Sequence, residues 1–215
     1  MLFKKHLPRG QKKLFEIGCA SGTWLIYFRR GFGYQVSGVD YSRAGCSAAR
    51  EALGRNGVIG EIICDDVFND SFQERYEKSF DIVCSFGFLE HFRDTMETVA
   101  IHLSLLRKGG FIIITMPNYS SKSLYRKMQI AGGREEELVG THKVELMEIS
   151  RLRKYVEKSG LEICFLDYVG PIDMSYGPNY VWPFHLCNQL IGYLTFWFHS
   201  KTFSPNVVLI ARKLV

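Results

Sequence analysis

The residues with the clearest chemical potential are Glu16-Ile17-Gly18-Cys19-Ala20-Ser21-Gly22, followed by a carboxylate, Asp40, at the end of Tyr34-Gln35-Val36-Ser37-Gly38-Val39-Asp40. Small residues in a turn let the backbone come close to a ligand. A carboxylate at the end of the next strand accepts hydrogen bonds from both hydroxyls of a ribose. The chemistry this pattern offers is nucleoside binding. It requires Glu16 to lie in a strand, the turn to open a helix, and Asp40 to close a neighbouring parallel strand.

The rest of the chain supplies such elements. Strand-like apolar runs cover Leu14–Ile17, Gln35–Val39, Glu61–Val67, Phe80–Ser85, Phe111–Met116, Leu161–Val169 and Asn206–Arg212. Several are nearly continuous in Ile, Val, Phe and Cys, as parallel strands covered on both faces are. Helices are expected over Ser21–Arg30 with Gly31 as the stop and from Ser42 to about Leu53. Two more run from Asp94 to Leu106, ending at Gly109-Gly110, and from Ser150 to Ser159. Strands alternating with helices give an α/β fold, a doubly wound parallel sheet. Residues 119–147 and 170–205 break the rhythm. They read as insertions on the ligand side of a single domain spanning 1–215, since neither has enough apolar residues for its own core.

The spacing around Gly18 fits either a dinucleotide or S-adenosylmethionine. A dinucleotide fingerprint asks for G-x-G-x-x-G, and here those positions hold Gly18, Ala20 and Thr23. Glu16, two residues before Gly18, puts a carboxylate where dehydrogenase strands are apolar. It suits a ligand carrying an ammonium group, as the methionine part of S-adenosylmethionine does.

Taken together, the chain resembles the class I S-adenosylmethionine-dependent methyltransferases over most of its length. Glu16 to Gly22 resembles their first motif, with Glu16, Gly18, Cys19, Ala20 and Gly22 on the cofactor. Asp40 resembles the ribose-binding acid, and Tyr41 would pack on the adenine. Cys64-Asp65-Asp66-Val67 resembles the segment whose Asp bonds the adenine amino group; Asp66 aligns better than Asp65, with one position of slip allowed. Phe80 to Phe92 resembles the fourth-strand motif, bringing Ser85 and Phe86 to the cofactor, and Leu106 to Gly110 the turn into strand five. The resemblance implies a seven-stranded Rossmann-like sheet with the last strand antiparallel beside the fifth. It also implies S-adenosylmethionine as cofactor and S-adenosylhomocysteine as its product.

The acceptor is less legible. The Asn/Asp-Pro-Pro-aromatic turn of enzymes that methylate exocyclic base amines is absent, as is the Pro-Cys of those that attack C5 of pyrimidines. This disfavours a base-directed nucleic-acid enzyme; the expected acceptor is a small, aromatic or lipophilic molecule methylated on oxygen, with nitrogen second. Glu90-His91 resembles a Glu-His pair found in the O-methyltransferases of ubiquinone biosynthesis. Relatives assigned a metal carry an additional Glu where this chain has Gly87, so no metal is expected. His91 could act as general base, since imidazole titrates near neutrality; the alternative is that Glu90 or His91 anchors the following helix. Glu90, His91, Tyr119 and His142 are expected on the acceptor side. An RNA methyltransferase and a catalytically silent binding module stay open as other readings, with an NAD-dependent oxidoreductase behind them.

The bulk numbers agree. The chain has 215 residues, 47% of them hydrophobic and 23% charged, with a formal charge of +5. That is the composition of a globular protein rather than a disordered one. The basic residues fall in short clusters, which read as solvated surface. Six cysteines without a CxxC pair suit a reducing cytoplasm, and the first residues lack an apolar core long enough for a signal peptide. The aromatic stretch 181–198 is too polar in its middle to span a bilayer. It is expected to cover the sheet edge, with a pocket wall or a peripheral membrane or dimer contact as the other readings.

Overall fold

The computed structural model describes residues 2–92, 94–133, 147–172, 185–195 and 199–214, with the main chain only at 185–187. Seven strands form one sheet in the order β3-β2-β1-β4-β5-β7-β6. They are β1 (Lys13–Ile17), β2 (Gln35–Asp40), β3 (Gly60–Cys64), β4 (Phe80–Phe86), β5 (Leu106–Pro117), β6 (Leu161–Val169) and β7 (Asn206–Lys213). β7 runs antiparallel between β5 and β6, and all other neighbours are parallel. This is the sheet the sequence led us to expect, including the placement of its last strand.

Both faces are covered, so the strands are apolar on both sides. One layer holds Leu14, Val36, Ile62, Ile82 and Ile113 beneath α1 (Leu2–His6), α2 (Thr23–Phe32) and α3 (Arg43–Arg55). The other holds Phe15, Ile17, Val39, Val83 and Ile112 beneath α4 (Asp70–Tyr76), α5 (Thr95–Leu105) and α7 (Ile149–Lys158). α6 (Leu124–Ala131) and α8 (His185–Leu194) belong to the two segments that interrupt the alternation.

Several boundaries differ from expectation for local reasons. α2 passes through Gly31 and stops at Gly33, whose φ of 75° only glycine adopts readily. α5 stops at Leu105, and Leu106 already belongs to β5. Gly109 and Gly110 therefore lie within the strand, where a register shift between Phe80 and Ile82 accommodates them. β3 ends at Cys64, which leaves Asp65, Asp66 and Val67 in the turn beyond it. α7 begins at Ile149 after Glu148, not at a Ser150 cap, and Glu148 instead accepts from the Ser121 amide and hydroxyl and pairs with Lys201. Ser42 does cap α3, accepting from the Gly45 amide.

The exit of β5 and the entry to β7 are joined at the carboxyl edge of the sheet by one fully buried residue, Asn118. Its amide nitrogen Nδ2 donates to the carbonyls of Lys201 (2.9 Å) and Ser204 (2.7 Å), and its backbone N–H to Pro205 (2.7 Å). Leu124 N–H, at the start of α6, reaches the Thr202 carbonyl. The ends of the two interrupting segments are thus tied to each other. The expectation that 181–198 covers the sheet edge falls partly outside the described residues. Where α8 is described it is not core-facing: Leu190, Tyr193 and Leu194 are exposed.

Candidate active site

A cavity of about 630 Å³ opens at the carboxyl ends of β1, β2, β3 and β4, where ligands of open α/β sheets bind. Its lining brings together Gly18 from the first turn, Asp40 and Tyr41 after β2, Asp65, Asp66 and Val67 after β3, and His91 after β4. These residues are far apart in sequence and are assembled by parallel pairing alone.

The first turn is tight. The N–H groups of Gly18 and Cys19 both donate to the Val39 carbonyl, and Gly22 N–H donates to the Cys19 carbonyl at 2.7 Å. Gly18 has a φ of 75°, and a Cβ there would stand 2.8 Å from the Phe88 ring, so both conformation and space demand glycine. α3 is drawn in behind the turn, where Gly45 lies so close that a Cβ would meet Asp40 Oδ1 at 3.0 Å and the Ala20 methyl at 3.1 Å. Gly22 is buried at the start of α2 against Leu53 and Ala49. The Cys19 side chain is buried beside Gly38. Neither Gly22 nor Cys19 lines the cavity, and their contribution there is to hold the turn.

Glu16 sits mid-sheet, paired with Gly38 on one side and Cys84 on the other. It is buried, and its Oε2 has no protein partner. Burial, and then the charge of Asp40, push its carboxyl up to about 8, against the opposing pull of a hydrogen bond from the Leu25 backbone. An unpartnered buried carboxyl beside an acid-lined cavity suits a cationic group on a ligand. Asp40 is also buried; its Oδ1 accepts from the Ser42 amide at 2.9 Å. Tyr41 stands 82% exposed, its ring presented to the cavity mouth. Asp65 and Asp66 both line the cavity. Asp65 Oδ1 accepts from Asp66 N–H and from Asn69, and Asp66 Oδ1 accepts from Phe68 N–H.

Two side chains expected on the cofactor point elsewhere. Ser85 is fully buried and bonds His102 Nε2 at 3.0 Å. The Thr98 carbonyl, 2.7 Å from His102 Nδ1, can only accept, so Nδ1 carries the proton and Ser85 donates to Nε2. Burial holds His102 neutral, lowering it to about 4. Phe86 is stacked on Trp24 with ring centroids 4.1 Å apart, in the layer under α1 and α2. Large or hydrogen-bonding side chains at the end of a buried strand serve packing first, and the strand alternation that separates the two faces was readable.

On the acceptor side, the structure separates the expected residues. His91 lines the cavity from a 3₁₀ turn over Leu89–His91. Its neighbour Glu90 is buried, off the cavity lining, with Oε2 lacking a protein partner and burial raising its carboxyl to about 7. Tyr119 is half-buried against the core, its N–H near the Met147 sulfur, and does not line the cavity. His142 lies outside the described residues. Phe68, Phe88 and Phe92 were not picked out from the sequence as site residues. They form one wall, with Phe88–Phe92 centroids 4.5 Å apart and Phe68–Phe92 4.9 Å apart. The signal available was an aromatic residue directly after Val67 and two more in the Glu-His segment. Among the described residues no group of His, Cys, Asp and Glu is arranged to hold a metal ion, and no helix is long and apolar enough to cross a membrane.

A family model described as a methyltransferase domain matches residues 2–164. A ubiquinone biosynthesis O-methyltransferase from Thiobacillus denitrificans is 29% identical over 116 residues, 54% of this chain and 49% of that protein. The chain thus spans about half the length of that relative. A ribosomal RNA small subunit methyltransferase C from Alcanivorax borkumensis is 33% identical over 82 residues, 33% of this chain and 25% of that one. Among solved structures, a SAM dependent methyltransferase from Archaeoglobus fulgidus superposes with a TM-score of 0.64 at 18% identity, covering 98% of this chain and 91% of the other. The cyclase SpnF superposes equally well, with a TM-score of 0.64 at 16% identity over 99% of this chain and 78% of its own. Such structural likeness establishes the fold and leaves the reaction to the site. With the family model covering far more than half of the sequence, and with the sheet order and the acid-ended second strand in place, the chain belongs to the methyltransferase-domain family, the class I S-adenosylmethionine-dependent methyltransferases.

Proposed function

We propose that the protein transfers a methyl group from S-adenosylmethionine to an oxygen of a small aromatic or lipophilic molecule, with nitrogen as the second choice of acceptor atom. The observation that carries this reading is the convergence of Gly18, Asp40, Asp66 and His91 on one cavity. The residues present suit the cofactor. The Gly18 turn admits close approach, Asp40 faces a ribose, Asp65 or Asp66 an adenine amino group, and the orphaned Oε2 of Glu16 an ammonium group. When bound, the cofactor supplies a methyl group activated by its sulfonium.

What this chain adds is alignment, exclusion of water and a proton acceptor. In-line displacement depends heavily on holding the two reactants in register. The wall of Phe68, Phe88 and Phe92 gives a flat apolar acceptor a surface to lie on and keeps water away from the reacting atoms. His91, exposed on the same cavity, takes the proton from the acceptor hydroxyl. In this reading residues 1–215 act as one domain, with 119–147 and 170–205 lying partly outside the described residues.

The deciding experiment is calorimetric titration with S-adenosylmethionine, S-adenosylhomocysteine and NAD, followed by a screen of metabolite pools for a product heavier by one methyl group. Binding of NAD alone would overturn the proposal. A second reading, methylation of RNA, is favoured by the similarity to the ribosomal RNA enzyme. Product formation on RNA with steep salt dependence would select it.

A further inference from the structure

Outside the cavity, the densest unassigned chemistry is a set of thiols directly behind Asp40. Cys64 ends β3, an outer strand of the sheet, and is exposed, whereas Cys46, in α3, is fully buried. The two share one face of the sheet. Ile62, two residues before Cys64, is buried in the layer of Cys46, Ala49 and Leu53, and strand alternation sends Cys64 to the same side. Cys46 Sγ lies 3.2 Å from the Asp40 carbonyl oxygen and 3.7 Å from that of Ile63, the residue before Cys64. Asp40 is the direct sheet partner of Cys64. Burial raises the Cys46 thiol to about 11, and the neighbouring Cys64 adds to the shift. The geometry therefore sets an exposed thiol against a buried one.

We propose that Cys64 and Cys46 are a peroxide-sensitive dithiol whose oxidation to a disulfide ties the end of β3 to α3 behind Asp40 and weakens nucleoside binding. The thiolate of Cys64 attacks hydrogen peroxide, giving a sulfenic acid and, with one proton, water. The Cys46 sulfur then attacks that sulfenic sulfur, forming the S–S bond and releasing a second water. Two thiols lose two hydrogens and the peroxide takes both electrons. A sulfenic acid with a thiol at hand condenses instead of oxidising further. The cost falls on the site because the Cys46 S–H donates to the Asp40 carbonyl, the same carbonyl that holds Asp65 N–H at 3.2 Å. A disulfide removes that donor and draws the sulfur toward Cys64, disturbing the junction from which Asp40 and Asp65 enter the cavity. The effect on binding rests on the cofactor reading above, whereas the disulfide does not.

The test treats the full chain with equimolar hydrogen peroxide, alkylates free thiols and maps peptides, then titrates S-adenosylhomocysteine before and after dithiothreitol. The expected result is an intact mass lower by two hydrogens, a Cys46–Cys64 linked peptide, and affinity reduced by about fivefold or more and restored by dithiothreitol. Cys64→Ser, a substitution at an exposed position, should abolish both the link and the loss of affinity. Cys64 recovered as sulfinic acid without a link, or a link joining Cys46 to the nearby Cys19, would overturn the proposal. A correct link with unchanged affinity would overturn its coupling to the site. If the reduced protein does not bind S-adenosylhomocysteine, the cofactor reading fails while the peptide map still decides the dithiol.

Discussion

Glu16 holds a protonated carboxyl in the middle of the sheet at neutral pH, and the proposed cofactor would place an ammonium group near it. Ionised Glu16 is the better partner for a cation, so binding below pH 8 must release a proton. Titrating S-adenosylhomocysteine at pH 7 in buffers of different ionisation enthalpy should show release of roughly one proton per ligand. Glu16→Gln should abolish that release and weaken binding by roughly tenfold to a hundredfold, the range for a hydrogen bond to a charged group. Asp40→Ala should cost a similar factor, and unchanged affinity would retire Asp40 as the ribose contact. For His91, a His91→Gln variant with the same rate and pH profile as wild type would remove the general base from the proposal.

At the scale of elements, each strand end delivers its residue to the cavity only if the turn after it is fixed. Gly18→Ala places a Cβ 2.8 Å from the Phe88 ring and strains a backbone at positive φ. It should destabilise the fold by about 1–3 kcal/mol and block ligand binding, read by thermal melting and calorimetry. Asn118→Ala leaves the carbonyls of Lys201 and Ser204 without their buried donor and should cost about 2–4 kcal/mol. The strands and the acids that end them were legible because alternation and apolar runs report burial directly, as at Phe80–Phe86 and Asp40. What stayed hidden depends on contacts between distant segments. Glu148 pairs with Lys201 and Ser121, His102 takes the Ser85 hydroxyl, and Glu90 turns into the core while its neighbour His91 faces the cavity. No local period encodes which of two adjacent polar residues is buried.

At the scale of the whole molecule, the buried groups His102, Glu16 and Glu90 shape, among the described residues, how stability responds to pH near neutrality. His102 is lowered from 6.5 to about 4, so it opposes folding only as pH falls below 6.5, where the unfolded chain binds the proton more tightly. Glu16 and Glu90 are raised from 4.5 to about 8 and about 7, so above 4.5 the unfolded chain loses protons that the folded chain keeps. Stability therefore falls with rising pH until each folded carboxyl ionises. Between pH 6.5 and 8 these two act in the same direction and outweigh the small opposite contribution of His102 near pH 6.5. Melting without ligand should show a loss of about 2 kcal/mol over that interval, removed in large part by Glu16→Gln.

The position of β7 carries a consequence for how the chain folds. It follows every other strand in sequence, yet it is laid between β5 and β6, with Val207 to Ala211 buried. β6 has no place in the sheet until β7 arrives, so until then β5 presents an open ladder of hydrogen-bonding groups along Phe111–Pro117. Such unpaired edges recruit other chains. Folding yield should accordingly depend on concentration, and a peptide copying Asn206–Lys213 should intercept the half-built sheet.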